Sequence, residues 1–575
     1  MNALAKSRGN KEIMVLSYLL VYFLVLTLFF TRPLLTRIAT HSAAGSGDNH
    51  YFIWIIGWTK QALFELWQSP HKSFLLNYPY GYQLALTEIA PLQVLVALPL
   101  TLIFNNPVLG YNFAMLSTFI LSGIFMFYWI RHLTGSFPAS LVAGTAYAFL
   151  PYHFAHMLSG HLNLVAIQWF PLYFWGLFEI FSSEEFSWKN CGLFAVGLSG
   201  IALSSQYYLF MTLFVSLVLL VIILIRKRFK LHWETWKSFF ISALISLPAL
   251  LVGIIPYYLV HRGGDTARPI TDVMTYSASI TDYFLPFTKN PLFGEWVSSR
   301  FPRNLWGEST LYLGLPILML AIFAWLNRRS STQSKTISYI TWIAVVAFVL
   351  SLGTNLMWME QPLVLKTPAW LNIFIKTETF YIYLPGYLLY QYFPFYDMMR
   401  AWMRYGMIVM LMVCALAGVG VHALLRKVKT RFRAPISLII LALVIIDFSL
   451  TPLSLAQIAP RLVDVYLSDQ PYGAQVQLPL AQSYDPRTIY FTLINQKPLL
   501  GQMNTYPSHR YFQLEPILSQ FPNETSVQRL RDENITYVLV DQSSLQSGSS
   551  NTKNLSTLGV EFAGNFDEIA LFLIQ

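Results

Sequence analysis

The chain has 575 residues, of which 55% are hydrophobic, 16% are aromatic and only 11% are charged. Because soluble globular domains carry about 25% charged residues, this composition excludes an ordinary soluble protein and indicates helices that cross a membrane several times. The net charge of +10 does not require nucleic acid as a partner, since the basic residues cluster in short loops beside apolar segments. Cys191 and Cys414 lie inside apolar runs and indicate neither a disulfide framework nor a metal motif.

The first apolar segment covers about residues 13–30 and follows a basic N-terminus. It is longer than the apolar core of a usual signal peptide, which has about 7–15 residues. We therefore expect an uncleaved first membrane helix rather than a cleaved signal peptide. The positive-inside rule places the N-terminus in the cytoplasm and residues 31–110 in a long outer loop. Within that loop, the short, proline-marked segment 91–104 is expected to be interfacial or re-entrant.

The remaining apolar segments alternate in direction, with the most basic loops on the inner side. We predict an α-helical polytopic membrane protein with about eleven transmembrane helices, contained in residues 1–452, and a second long outer loop at 259–309. The predicted spans after the first are residues 111–130, 138–151, 162–181, 188–204, 207–225, 238–258, 310–326, 336–352, 404–425 and 435–452.

Residues 453–575 differ in character from the apolar part of the chain. Short β-like runs at 474–480, 535–541 and 569–575 are separated by turns, and residues 526–535 have the pattern of a short helix. We predict a small soluble α/β domain on the extracytoplasmic side of the cytoplasmic membrane.

Asp48 lies in the stretch GSGDNHYFIWIIGW (45–58), between a Gly/Ser turn and an aromatic helical pattern over residues 49–68. That pattern suits a helix lying in the membrane interface, with its indoles at headgroup depth. Aspartate is a preferred helix N-cap and gains from the helix dipole, so spacing alone favours a structural role for Asp48. The alternative is a reactive carboxylate at the membrane surface.

Three histidines follow Pro151 at the predicted outer surface: His153, His156 and His161. The first two are three residues apart and share a helical face. Their spacing matches no established zinc motif, so two interpretations stay open. The histidines bind a metal or a phosphate, or they are interfacial side chains that hydrogen-bond water and lipid headgroups. Glu88 adds a second acid to the first outer loop, and the second outer loop adds Asp265, Asp272, Asp282 and Glu308.

Arg400 and Arg404 lie four residues apart at the predicted outer start of a helix. Guanidinium grips phosphate in a bidentate manner, although aromatic residues and arginines also anchor helices at the interface. A sugar on a long-chain phosphate presents its anomeric carbon at the outer surface. Its transfer needs a carboxylate to take a proton from the acceptor and cations near the leaving phosphate. No glycine-rich phosphate loop indicates a nucleotide-driven mechanism.

The arrangement resembles the GT-C glycosyltransferases, membrane enzymes that use polyprenyl-phosphate-linked sugars. The shared features are Gly47-Asp48 in the loop after the first helix, an amphipathic helix after it, RHLTG (131–135) before an outward helix that ends at Pro151, and a soluble C-terminal domain. Further segments resemble YfhO-type and related uncharacterised bacterial membrane proteins: HLNLVAIQWFPLY (161–173), SSQYYL (204–209), GESTLYLG (307–314), MMRAWMRYG (398–406) and ENITYVLVD (533–541).

The resemblance implies that Asp48 is the catalytic acid of the first outer loop and that Glu88 matches its second acid. After Pro151 this chain has histidines where protein mannosyltransferases and aminoarabinose transferases tend to have aspartate. We therefore predict an inverting transfer of sugar from a polyprenyl-phosphate donor to an extracytoplasmic glycan, lipid or protein acceptor, with Asp48 as general base. Arg400 and Arg404 are expected to hold the donor phosphate. The residues expected to position the acceptor or a divalent cation are Glu88, His153, His156 and His161.

Two other functions remain open from the sequence. One is a transporter or flippase for lipid-linked saccharides, and the other is a non-catalytic envelope assembly protein. Ionisable residues within membrane spans usually mark transport pathways, and the predicted spans contain few of them, chiefly Asp447 and Glu179. This scarcity favours chemistry at the membrane surface over transport.

Overall fold

The computed structural model describes residues 2–575 apart from 44, 46, 229, 262–266, 302, 332, 369–377, 504–508 and 546–554. The chain is predominantly helical up to residue 447. The α-helices of eight or more residues in this part are Asn2–Phe30, Asp48–Lys60, Pro91–Phe104, Pro107–Thr134, Phe137–Ala148, Pro151–Leu158, Trp169–Ser182, Trp188–Ala202, Gln206–Arg226, Trp233–His261, Leu315–Leu326, Ser334–Ser351, Pro385–Tyr392, Gly406–Lys427 and Thr430–Asp447.

Six helices within the described residues are long and apolar enough to cross a membrane, which makes the chain an integral membrane protein. The predicted number of about eleven spans stays a prediction. The helix Phe137–Ala148 has 12 residues and is therefore about 18 Å long, shorter than a hydrocarbon core of about 30 Å. The six are Lys11–Phe30, Pro107–Thr134, Gln206–Arg226, Trp233–Val260, Ser334–Ser351 and Trp402–Lys427.

The helix Gly406–Lys427 forms the centre of the larger apolar core, and nearly all of its side chains are buried. It packs against Leu315–Leu326, Ser334–Ser351 and Phe137–Ala148. A Cβ atom at Gly420 would overlap the backbone carbonyl of Leu320, so the absence of a side chain there lets two helices approach closely. Such contacts between small residues and backbone are the usual means of helix association in membranes.

The helix Asp48–Lys60 is covered by protein, where its amphipathic pattern predicts contact with the membrane interface. Trp54 and Trp58 are buried, and the Trp54 indole N–H donates to the Thr492 hydroxyl at 2.9 Å. The later helix Pro486–Asn495 packs on this face. A pattern of apolar and polar residues shows which face is covered but not by what, and here the cover is protein rather than lipid.

The last part of the chain contains a four-stranded sheet. Ile535–Asp541 lies at its centre, parallel to Ala474–Leu478 and antiparallel to Ile569–Ile574, which in turn pairs with Val560–Phe566. All three predicted β-like runs contribute a strand to this sheet. The α-helices of seven or more residues around it are Leu462–Ser468, Pro486–Asn495, His509–Leu518 and Glu524–Asp532. The extracytoplasmic position of this region stays a prediction.

This C-terminal region is joined to the first predicted outer loop by backbone hydrogen bonds. The Leu499 N–H donates to the Leu75 carbonyl at 2.8 Å, and the Asn77 N–H donates to the Gly501 carbonyl at 2.8 Å. The first loop and the C-terminal region therefore form one connected structure.

The remaining short strand pairs are His41–Ser42 with Ala456–Gln457, Lys72–Ser73 with Tyr82–Gln83, Met357–Trp358 with Gln361–Pro362, and Val364–Lys366 with Thr379–Tyr381.

His50 gives this junction a pH dependence. It is buried beside Tyr490, with ring centroids 5.9 Å apart, and lies outside the six candidate spans. Burial, with a smaller effect of Arg487, lowers the pKa of His50 to about 4, below the value of about 6.5 for an unfolded histidine. Between these two pH values the unfolded chain binds more protons than the folded one, so stability rises with pH.

We expect the melting temperature of the purified protein to fall as the pH is lowered from 7 to 5, because His50 takes up a proton in the unfolded chain but not in the folded one. The associated loss of unfolding free energy is on the order of 2 kcal/mol. His50→Gln removes the proton-binding group and should flatten this part of the melting curve against pH. An equally steep loss of melting temperature in His50→Gln would show that other groups control the acid sensitivity.

Candidate active site

A cavity of about 620 Å³ lies where the loop after the first helix, residues 31–110, meets the C-terminal region. Its volume is within the range of about 300–1,000 Å³ that ligand pockets occupy. Carboxylates, amides, tyrosines and three arginines share its walls. The lining residues are Asp48, Tyr51, Phe52, Thr87, Glu88, Asn163, Tyr207, Arg268, Arg400, Arg404, Ala481, Gln482, Tyr484, Asp485, Pro486, Ile489 and Met503.

Asp48 is the first residue of the helix Asp48–Lys60, and Gly47 takes the N-cap position in extended backbone. The predicted capping role of Asp48 is therefore wrong, because no side-chain cap bond forms at this helix start. The carboxylate stays 54% exposed on the cavity wall. The positive end of the helix dipole lies beside this carboxylate, so the structure holds an accessible carboxylate at a fixed point.

His161 and His156 extend inward from Asp48. His161 Nε2 lies 3.4 Å from Asp48 Oδ2, and His161 Nδ1 lies 2.7 Å from His156 Nδ1, so one of these two nitrogens donates to the other. His156 Nε2 is buried and has no hydrogen-bond partner among the described residues. Burial lowers the pKa of His156 well below its usual range, and the imidazole is neutral.

His153 does not join this group, although the sequence placed it with His156. Its ring stacks on Phe119 with the centroids 3.7 Å apart. Its Nδ1 donates to the Ala148 carbonyl at 2.8 Å, and its Nε2 lies 3.0 Å from Thr118 Oγ1. Burial lowers the pKa of His153 to about 3. Both ring nitrogens are engaged away from the cavity, which corrects the expectation that His153 binds an acceptor or metal.

Glu308 and Arg404 form a buried bidentate ion pair beside these histidines. Arg404 Nε donates to Glu308 Oε2 at 3.0 Å, and Nη2 donates to Oε1 at 2.5 Å. Burial raises the pKa of Glu308, but the Arg404 guanidinium outweighs it and holds that pKa well below its usual range. Arg404 was expected to hold a phosphate, yet its charge is already balanced by Glu308. Nothing in the spacing of the sequence distinguishes Glu308 from the other acids of its loop.

Three ligand atoms from His156, His161 and Glu308 lie within 4.8 Å of one another. Imidazole nitrogen and carboxylate oxygen are ligands that Zn²⁺ and related divalent cations accept. The partnerless Nε2 atom of His156 fits such an ion, and each Glu308 oxygen that accepts from Arg404 keeps a second lone pair for it. These residues can therefore hold a divalent cation next to Asp48.

Arg400 and Arg268 supply the remaining positive charge of the cavity. The Arg400 guanidinium lies 4.4 Å from the centroid of the Tyr276 ring, and among the described residues it forms no ion pair with an acid. The Arg268 backbone is fixed on both sides, because its N–H donates to the Asp397 carbonyl at 2.8 Å and its carbonyl accepts from the Tyr390 hydroxyl at 2.7 Å. No pattern in the sequence indicates a role for Arg268, which is 132 positions from Arg400.

Glu88 lines the cavity, but its carboxylate is occupied. It accepts hydrogen bonds from the Asn163 amide, from the Ser205 hydroxyl at 3.0 Å and from the Tyr207 N–H at 3.0 Å. These bonds connect the first outer loop to two later segments of the chain. Glu88 therefore holds these segments together beside the cavity, and its expected role in positioning an acceptor or a divalent cation stays a prediction.

The fold is that of the GT-C membrane glycosyltransferases. The oligosaccharyltransferase AglB from Archaeoglobus fulgidus, solved with an inhibitory peptide and a dolichol-phosphate, superimposes with a TM-score of 0.55 at 11% identity, over 93% of this chain and 70% of its own. The arabinofuranosyltransferase AftD from Mycobacteria superimposes with a TM-score of 0.58 at 13% identity, over 98% of this chain but only 40% of its own. At these identities the likeness shows the fold alone.

Residues 19–419 match the family described as a domain of unknown function (DUF6311), and the chain belongs to that family. No curated protein sequence matches it. The likeness to YfhO-type proteins stays a prediction.

Proposed function

We propose that the protein transfers a sugar from a polyprenyl-phosphate donor to an acceptor hydroxyl. The observation that carries this proposal is the convergence of Asp48, Arg400 and Arg268 on one cavity of a GT-C fold. AglB, which shares the fold, binds a dolichol-phosphate. A carboxylate beside separate cationic groups is the arrangement that such a transfer requires.

In the proposed reaction, Asp48 accepts the proton of the acceptor hydroxyl while the hydroxyl oxygen attacks the anomeric carbon. The bond between that carbon and the phosphate oxygen breaks, and its electron pair leaves with the polyprenyl phosphate. Because attack and departure occur on opposite faces, the anomeric configuration inverts. Arg400 and Arg268 stabilise the negative charge that develops on the leaving phosphate.

Arg400→Gln tests the phosphate site through binding of undecaprenyl phosphate to the purified protein. Loss of a charged hydrogen bond should weaken binding by about 10–100-fold. Arg431→Gln is the matched control, since Arg431 is exposed, makes a similar stacking contact with Phe432 and does not line the cavity. Undiminished binding in Arg400→Gln would contradict the assignment of this arginine to the donor phosphate.

A divalent cation held by His156, His161 and Glu308 would add positive charge near the leaving phosphate. We expect the purified protein to bind one Zn²⁺ or Mn²⁺ ion, and His161→Ala to abolish that binding. Elemental analysis after dialysis measures the metal content directly. His71→Ala is the control, because His71 is exposed and lies outside the cavity lining. Equal metal content in His161→Ala and in the control would contradict this site.

The transporter alternative receives less support from the distribution of charge. Buried Asp, Glu, Lys and Arg side chains of the described residues lie in loops, in the C-terminal region or at helix ends, and none lies in the middle of a candidate span. A pathway across the membrane would need polar groups at that depth. The buried set is Asp282, Arg303, Glu308, Arg404, Asp464 and Lys497.

A further inference from the structure

One wall of the cavity comes from the C-terminal region. Residues 481–486, called the 481–486 segment below, contribute Ala481, Gln482, Tyr484, Asp485 and Pro486 to the same cavity as Asp48. None of the three lining arginines belongs to this segment. The wall is therefore chemically different from the phosphate site and can serve a different part of the reaction.

The 481–486 segment is held rigidly. The Ser483 hydroxyl bonds to both the N–H and the carbonyl of Gln477 at 2.8 Å, which fixes the segment to the strand Ala474–Leu478. A Cβ atom at Gly501 would overlap the Ser483 carbonyl, so only glycine fits behind the turn. The following helix is bonded through Thr492 to Trp54 of the helix that begins at Asp48. This wall and Asp48 are thus fixed relative to each other before any ligand binds.

Gln482 and Asp485 give the wall its hydrogen-bonding character. Among the described residues, only the backbone N–H of Arg487 donates to the Asp485 carboxylate, at 2.8 Å. A carboxylate offers about four acceptor positions, and an amide both donates and accepts, so several positions remain for a ligand rich in hydroxyl groups. Tyr51, Phe52 and Tyr207 add aromatic surface to the cavity. Amides, carboxylates and aromatic rings together suit the alternating hydroxyl and C–H faces of a sugar ring.

The charge of the wall selects among acceptors. Asp48 and Asp485 are carboxylates of the same cavity, and their negative charges repel an anionic ligand that approaches them. An anionic group is therefore directed to the arginines and excluded from the 481–486 segment. We infer that this segment binds the acceptor and that the acceptor is a neutral saccharide, with Gln482 and Asp485 bonding hydroxyls beside the one that Asp48 deprotonates. The inference rests on the proposed transferase function.

The test measures binding of saccharides and of donor lipid separately on the full-length protein in nanodiscs. Saturation-transfer NMR with methyl glycosides of glucose, galactose and mannose probes the acceptor site. Gln482→Ala and Asp485→Asn should weaken binding of the preferred glycoside by about tenfold or more. Asparagine caps helices as well as aspartate does, so Asp485→Asn keeps the helix start. Asp469→Asn, an exposed change in the same region, should have no effect.

Binding of undecaprenyl phosphate is measured on the same samples and should not change in Gln482→Ala or Asp485→Asn. If the wild-type protein binds the lipid but none of the glycosides, or binds them equally in all variants, the acceptor site is wrong while the transferase proposal stands. Preference for a glucuronide or a peptide over the neutral glycosides also overturns the inference. If undecaprenyl phosphate does not bind to the wild-type protein, the proposed transferase function itself is contradicted.

Discussion

Asp48→Asn is expected to reduce the turnover of sugar transfer by about 10²–10⁴-fold, the usual contribution of a general base. The change removes the proton acceptor but keeps the size of the side chain. Asp48 lies at the start of the helix Asp48–Lys60 without a capping bond, so the fold should not suffer. Radiolabelled product formed from a polyprenyl-phosphate-linked sugar measures the turnover, and lipid binding measured in parallel should stay unchanged.

Asp272→Asn is the matched control for this variant. Asp272 also lies in the first turn of a loop helix, Ile270–Thr275, but it does not line the cavity. It should retain wild-type turnover. If Asp48→Asn transfers sugar as fast as Asp272→Asn does, Asp48 is not the base.

Glu308→Gln is expected to destabilise the protein by about 3–5 kcal/mol, because it leaves the Arg404 guanidinium buried without its carboxylate. Both members of the pair are only about one-tenth exposed, at 9% and 10% of their side-chain surface. Thermal unfolding of the purified protein should show a lowered melting temperature. The double variant Glu308→Gln with Arg404→Gln should recover part of the loss, since no uncompensated charge remains.

The exposed pair of Lys60 and Glu65 provides the comparison. Glu65 is 48% exposed, and Glu65→Gln should change stability by less than about 1 kcal/mol, as for surface pairs in general. Equal melting temperatures of Glu308→Gln and Glu65→Gln would mean that the buried pair does not support the cavity wall.

Local composition predicts much of this fold because hydropathy and charge act within single segments. The long apolar helices and the three main strands of the C-terminal sheet follow from runs of adjacent residues, and Asp48 lies at a helix start where the pattern changes. The resemblance to GT-C enzymes likewise rests on short motifs and helices that follow one another along the chain. These are signals that a single sequence contains.

Pairing across the chain is what a single sequence does not show. Arg404 and Glu308 are 96 positions apart, and neither segment reveals that one neutralises the other. His153 and His156 share a helix, yet the ring of one stacks on Phe119 and the ring of the other contacts His161. The helix Asp48–Lys60 has an amphipathic pattern that lipid or protein can cover equally well. Each of these differences depends on a partner supplied by a distant segment.

The proposed mechanism is tested most directly in liposomes that contain the purified protein, a polyprenyl-phosphate-linked sugar with a radiolabelled sugar group, and neutral saccharide acceptors. One measurement separates labelled saccharide from labelled lipid on both sides of the membrane. Sugar transfer depends on Asp48 in the proposed mechanism, so labelled saccharide should form with the wild-type protein and not with Asp48→Asn. Movement of intact labelled lipid across the membrane without labelled saccharide would contradict the transferase and identify a flippase.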